Sequence, residues 1–129
     1  MSNHNYVGIE APEIGDKAHL TLLFLGDREP GITALDIIKP YQHNRPSVKR
    51  YGLAMFGPEK NTPVVLVEIN ATSILWKIRN NLLAMGYTDR TGYSFNPHIS
   101  LPRQETWFIP KDITLEKPYI SIAGKRFYG

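Results

Sequence analysis

The apolar residues of this chain fall mainly into short runs bounded by glycine, proline and polar residues, a pattern typical of β-strands. Residues 19–26, HLTLLFLG, form one such run, and residues 95–101, FNPHISL, form another. Residues 64–69, VVLVEI, have the β-branched content of a buried strand, and Tyr51, Leu53 and Met55 occupy alternate positions as in a strand. We expect these two segments to pair as a hairpin. A further short strand is expected at residues 6–10, and several more near the end of the chain.

Two segments have the period of an α-helix instead. In residues 32–38 the apolar side chains recur every three residues, and Pro40 ends the pattern because it lacks a backbone donor. A second helix is expected after Thr72 or Ser73 as the N-cap, with Gly86 just beyond its end. Its predicted buried stripe comprises Ile74, Ile78, Leu82 and Met85.

Each half of the chain therefore offers a histidine-bearing strand, a helix and further strands. The sequence predicts an α+β fold in which helices lie outside antiparallel sheets and the two halves face each other. The histidine strands would then lie at the centre and line a cleft. We expect one domain over residues 1–129, since this length suits one hydrophobic core.

Those two strands carry the same pair of side chains at the same spacing. His19 and Thr21 are two residues apart, as are His98 and Ser100. Residues i and i+2 of a strand point to the same face, so each imidazole would stand beside a hydroxyl. Phe24 has the opposite parity and is expected in the core. One such pair would usually be structural, but a matching pair in each half indicates a two-part catalytic site.

Composition narrows the chemistry that such a site could perform. The chain has no cysteine, which excludes disulfides, zinc–thiolate sites and cysteine nucleophiles. The formal net charge of +3 suits a phosphate-bearing ligand but is small for a long nucleic-acid track. We find neither a run of about 20 apolar residues nor a secretion signal, so we expect a cytoplasmic protein without membrane contact.

The two motifs, HLTLLFLG at 19–26 and PHISLPR at 97–103, resemble the paired His-x-Thr/Ser motifs of the 2H phosphoesterase superfamily. That superfamily includes bacterial RNA 2′,3′-cyclic phosphodiesterases, also called 2′-5′ RNA ligases. The resemblance implies a bilobal, pseudo-twofold fold with two antiparallel sheets lining a central cleft. In size and layout the chain also resembles compact phage enzymes that destroy the cyclic oligonucleotide messengers of anti-phage CBASS systems, which would place it in the host cytoplasm.

Two histidines suit phosphodiester cleavage for a physical reason. One proton must leave the attacking oxygen and another must reach the leaving oxygen, and an imidazole can do either near neutral pH. We therefore predict His19 and His98 as base and acid, in an order that the sequence leaves open. Thr21 and Ser100 would donate hydrogen bonds to the nonbridging oxygens as negative charge builds up there. We expect no metal and no cofactor.

Other residues are candidates for holding the substrate. Arg103 could bind a phosphate bidentately or be solvated, and four aromatic residues could stack on a base or belong to the core. These four are Tyr6, Tyr93, Phe95 and Trp107.

The expected partner is a small nucleotide or cyclic oligonucleotide, or an RNA end, bound by a monomer. Two rival functions stay open at this point. One is a sponge that binds a cyclic nucleotide without cutting it. The other is RNA-end processing or 2′-5′ RNA ligation.

Overall fold

The computed structural model describes residues 4–104 and 106–129. Within them the chain forms eight β-strands and two α-helices, with a short 3-10 helix over Lys39–Tyr41 after the first α-helix. In chain order the elements are β1 (Asn5–Glu10), β2 (His19–Gly26), α1 (Ile32–Ile38), β3 (Ser47–Phe56), β4 (Thr62–Glu68), α2 (Ile74–Ala84), β5 (His98–Ser100), β6 (Asp112–Thr114), β7 (Pro118–Ile122) and β8 (Lys125–Phe127).

All eight strands belong to one antiparallel sheet with the order β6-β3-β4-β5-β2-β1-β7-β8. The expected α+β class and the β3–β4 hairpin are confirmed. The sheet has two groups of four strands, and the histidine strands β5 and β2 are the inner strand of each group. The sequence predicted two sheets, but Leu20 of β2 pairs with Ile99 of β5 and joins the groups into one. A single pairing of this kind leaves no trace in the hydrophobic pattern of either strand.

One face of the sheet, which we call the core face, is covered by the two helices. The row Leu20, Ile99 and Val65 crosses the centre of this face and is fully buried. Ala34 and Ile38 of α1 belong to the same core. From α2, the core includes Leu75, Ile78 and Leu82. The opposite face carries the side chains of both histidines.

Helix α2 begins and ends as predicted, but two of the four residues predicted for its buried stripe are not buried. The Ser73 hydroxyl accepts a hydrogen bond from the backbone N–H of Leu75 at 3.2 Å, and Gly86 has a φ of +93°, the left-handed conformation that ends many helices. The prediction placed Ile74 and Met85 in the stripe. Leu75 takes the buried position next to Ile78, whereas Met85 lies beyond the last helical residue and is exposed.

A bulge in β2 explains why the parity argument for Phe24 is wrong. Val7 pairs with Leu23 and Gly8 pairs with Thr21, so Leu22 is an extra residue on this strand. Beyond the bulge the alternation is inverted: Leu22 and Leu23 are both buried, and Phe24 turns to the face that carries the histidines. Phe24 is only half-buried, and its ring centroid lies 5.2 Å from that of His4.

No helix within the described residues is both long enough and apolar enough to span a bilayer.

Candidate active site

The pairing of Leu20 with Ile99 brings the two His-x-Thr/Ser motifs together. Residues flanking an antiparallel pair share the opposite face, so this register sets Thr21 beside His98 and His19 beside Ser100. The two histidines are then diagonal neighbours on adjacent strands, a relation that separates Cα atoms by about 7–8 Å. This is the order of separation that two groups need to approach one phosphate from different sides.

Both imidazoles are oriented by the same local contact. His19 Nδ1 lies 3.2 Å from the carbonyl oxygen of Lys17, and His98 Nδ1 lies 2.8 Å from that of Asn96. A carbonyl oxygen only accepts, so Nδ1 donates in each ring and carries the proton. The other nitrogen, Nε2, is therefore a proton acceptor in the neutral ring, and both histidines present equivalent atoms for proton transfer.

An aromatic ring packs against each imidazole. The ring of Tyr6 stacks on His19 with centroids 4.8 Å apart, and Phe56 meets His98 edge-on at 4.7 Å. The Tyr6 hydroxyl is 2.9 Å from that of Tyr119, which is fully buried and also lies against His19. Tyr6 was predicted as a substrate residue, and the structure brings it into direct contact with the first motif.

Burial lowers the pKa of His19 below its ordinary value of 6.5. The hydrogen bond to the Lys17 carbonyl opposes this shift, while the positive charges of Arg126 and His98 add to it. The contribution of His98 agrees with its diagonal position on the neighbouring strand. His19 is consequently neutral at pH 7 and able to accept a proton at Nε2.

A cluster around β8, which the sequence did not point to, surrounds the His19 side of the site. The Arg126 guanidinium stacks on Tyr119 at 4.3 Å and donates to the Lys17 carbonyl oxygen at 3.2 Å, the same oxygen that holds His19. Glu10 accepts a hydrogen bond from the Tyr128 hydroxyl at 2.6 Å. Alternation in residues 125–128, KRFY, was the available signal, but nothing in it indicates that this strand lies three places from β2 in the sheet.

Two other predicted aromatic residues make no ring contact with either histidine within the described part of the chain. Phe95 packs edge-on against Trp76 of α2 at 5.5 Å, and the Arg79 guanidinium covers its ring at 4.0 Å. Because both contacts cover the ring, Phe95 packs at the edge of the hydrophobic core. Tyr93 is 85% exposed in the loop before β5, and within the described residues its ring contacts no other aromatic ring.

Arg103 and Trp107 lie in a groove on the other side of the sheet. The groove has a volume of about 560 Å³ and is also lined by Leu53, Met55 and Leu101. Leu53 pairs with the buried Val65, and Leu101 has the parity of Ile99, so this groove opens on the core face. The structure therefore does not bring Arg103 and Trp107 together with the two histidines.

The described residues contain no group of three or more His, Asp, Glu or Cys side chains arranged to hold a metal ion.

Searches with the sequence find no matching family model and no matching curated protein. The fold is similar to a crystal structure of a phosphoesterase, with a TM-score of 0.49 and 20% identity over 99% of this chain and 94% of that one. It is also similar to E. coli LigT complexed with ATP, with a TM-score of 0.48 and 19% identity over 100% of this chain and 95% of that one. At these TM-scores and identities the assignment of function depends on the side chains of the site itself.

Proposed function

We propose that this protein is a metal-independent phosphodiesterase of the 2H type that cleaves a nucleotide phosphodiester. The pairing of Leu20 with Ile99 carries the proposal, because it aligns two imidazoles and two hydroxyls on one face of the sheet. The substrates best suited to such a site are a cyclic nucleotide, a cyclic oligonucleotide or a 2′,3′-cyclic phosphate. A role against CBASS messengers would follow if the substrate is a cyclic oligonucleotide.

The proton transfers can be assigned to the two histidines. His19, with its lowered pKa, takes the proton of the attacking oxygen at Nε2. His98, which acts in its doubly protonated form, donates a proton from Nε2 to the leaving oxygen as the bond to phosphorus breaks. In hydrolysis of a 2′,3′-cyclic phosphate the attacking group is water and the leaving group is a ribose oxygen, so the ring opens to a phosphomonoester.

The hydroxyls of Thr21 and Ser100 complete the site. Each stands beside the histidine of the other motif and donates to a nonbridging oxygen, where charge builds up in the pentacoordinate transition state. Because one imidazole removes a proton, the other donates one, and the hydroxyls stabilise the developing charge, no step requires a metal ion.

A substrate panel in EDTA-containing buffer tests the proposal. It compares nucleoside 2′,3′-cyclic monophosphates, cyclic dinucleotides and trinucleotides, and RNA with 2′,3′-cyclic ends, with products identified by mass. We expect at least one of these to be cleaved by the wild type and by His43→Ala, whose histidine lies in an exposed loop, but not by His98→Ala. Cleavage by His98→Ala, or by none of the proteins, would contradict the proposal.

The same panel separates the rival functions. A sponge would return intact ligand after incubation and denaturation of the protein. A ligase would give a longer product from RNA with a cyclic phosphate end and a second RNA with a 5′-hydroxyl. A phosphodiesterase gives a product heavier than the cyclic substrate by one water.

A further inference from the structure

A pocket of about 430 Å³ lies beside His19, on the side away from His98. Its walls come from β1, the segment before β2, and the β7–β8 hairpin. The lining residues are His4, Tyr6, Lys17, Ser121, Gly124 and Arg126. The lining includes two cationic side chains, Lys17 and Arg126, and no carboxylate. The pocket therefore favours an anion.

This pocket shares two walls with the candidate active site. The Tyr6 ring that lines the pocket stacks on His19, and the backbone carbonyl of Lys17 holds both His19 Nδ1 and Arg126 Nη2, each at 3.2 Å. An anion bound to Arg126 and a phosphate bound between the two histidines therefore lie at neighbouring positions, and one molecule can reach both.

The Arg126 guanidinium is fixed by its neighbours, and these contacts do not use all of its N–H donors. It stacks on Tyr119 at 4.3 Å and lies 3.6 Å from Glu10, whose carboxylate also accepts from Tyr128. A guanidinium has five N–H donors in a planar fork, and such a fork matches phosphate oxygens. Ser121 pairs with Arg126 across the hairpin and is 5% exposed, so its hydroxyl lies on the same wall.

We infer that this pocket is a subsite for a second phosphate of the substrate, one sugar unit away from the phosphate that is cleaved. The inference rests on the proposed function and narrows its substrate class to oligonucleotides, linear or cyclic, and 5′-phosphorylated nucleotides. A nucleoside monophosphate with a 5′-hydroxyl fills the catalytic position alone and brings no anion to the pocket that Lys17 and Arg126 line.

Two matched substrates test the subsite, namely adenosine 2′,3′-cyclic phosphate with a free 5′-hydroxyl and the same compound with a 5′-phosphate. For the wild type we expect kcat/KM to be about 10- to 100-fold higher with the 5′-phosphate, as charge-assisted hydrogen bonds imply. In Arg126→Gln this ratio should fall to within about twofold. The ratio isolates the subsite, because any disturbance of His19 through the shared carbonyl lowers the rate with both substrates.

Lys125→Gln is the matched control. It removes one positive charge from the neighbouring residue of β8, which pairs with Ile122 and points away from the pocket. We expect the control to keep the wild-type ratio. A third substrate, a dinucleotide ending in a 2′,3′-cyclic phosphate, distinguishes an internucleotide phosphate from a terminal one.

A wild-type ratio near one, or a ratio that survives Arg126→Gln, overturns the subsite while leaving the phosphodiesterase intact. Failure of the wild type to cleave any substrate overturns the proposed function instead. In that case, binding of inorganic pyrophosphate tests whether the pocket binds phosphate, independently of any cleavage activity. We expect NMR shifts at the amides of Lys17, Ser121 and Gly124 that are lost in Arg126→Gln, and their absence in the wild type would overturn it.

Discussion

The environment of His19 gives this residue a lower pKa than a solvent-exposed histidine has. The ring is stacked on Tyr6, lies against the buried Tyr119 and is held at Nδ1 by a backbone carbonyl. The sequence revealed His19 and its hydroxyl partner, since strand spacing is local information. It could not reveal Tyr119 or Arg126, because their contact with His19 depends on how distant strands are ordered in the sheet.

The lowered pKa of His19 makes stability depend on pH in a defined direction. In the unfolded chain the pKa is near 6.5, so the unfolded state binds a proton more readily than the folded state. The contribution is fully present above about pH 6.5 and is lost as the pH falls through the lowered folded value. The difference in unfolding free energy between wild type and His19→Gln should therefore decrease between pH 7.5 and pH 5.

Urea denaturation of both proteins across this pH range measures the difference. Comparison with His19→Gln removes the contribution of the remaining histidines, which titrate in both proteins. A difference that increases towards low pH would mean that folding raises the pKa of His19, contrary to the burial seen here.

The bulge in β2 decides which side chains of this strand face the core and which face the candidate active site. It inverts the faces of β2 after Thr21, so the histidine and hydroxyl point to one face while Leu23 and Leu25 still reach the core. A continuous apolar run gives no sign of such a bulge, which is why parity misplaced Phe24. The helices were easier to predict, because capping residues and a 3.6-residue period are encoded locally.

Arg79 of α2 holds the bulge in place. Its guanidinium donates to the Leu22 carbonyl oxygen at 2.6 Å and to Asp89 at 2.9 Å, with 12% of its side chain exposed. Arg79→Met leaves a bulge carbonyl and a largely buried carboxylate without their partner, so we expect a loss of about 2–4 kcal/mol in unfolding free energy.

Denaturant unfolding of Arg79→Met and of Lys77→Met, an exposed position on the same helix, measures this contribution. The Lys77 variant should stay within about 0.5 kcal/mol of the wild type. Adding Asp89→Asn to Arg79→Met should recover part of the loss, because it removes the unpaired charge. Equal stabilities of the two single variants would show that the bulge does not depend on Arg79.

At the scale of the whole molecule, two four-stranded groups meet at β2 and β5, and the candidate active site lies on that junction. The repeated layout of the two halves was visible in the sequence and correctly indicated that the histidine strands are central. Their direct pairing was not visible, because Leu20 and Ile99 resemble any other buried strand residues. The junction brings the two motifs together on one face of the sheet, with contributions from both halves of the chain.

The central claim is that His19 and His98 act together on one phosphate, and a double-mutant comparison tests it most directly. In EDTA-containing buffer, with the best substrate of the panel, His19→Asn and His98→Asn should each lower kcat/KM by about 10²–10⁴-fold, while His43→Asn keeps the wild-type value. The double variant should be no more than about tenfold worse than the poorer single variant, because groups that act as a unit are lost together. Near-wild-type turnover by either single variant, or losses that multiply in the double variant, would contradict the account.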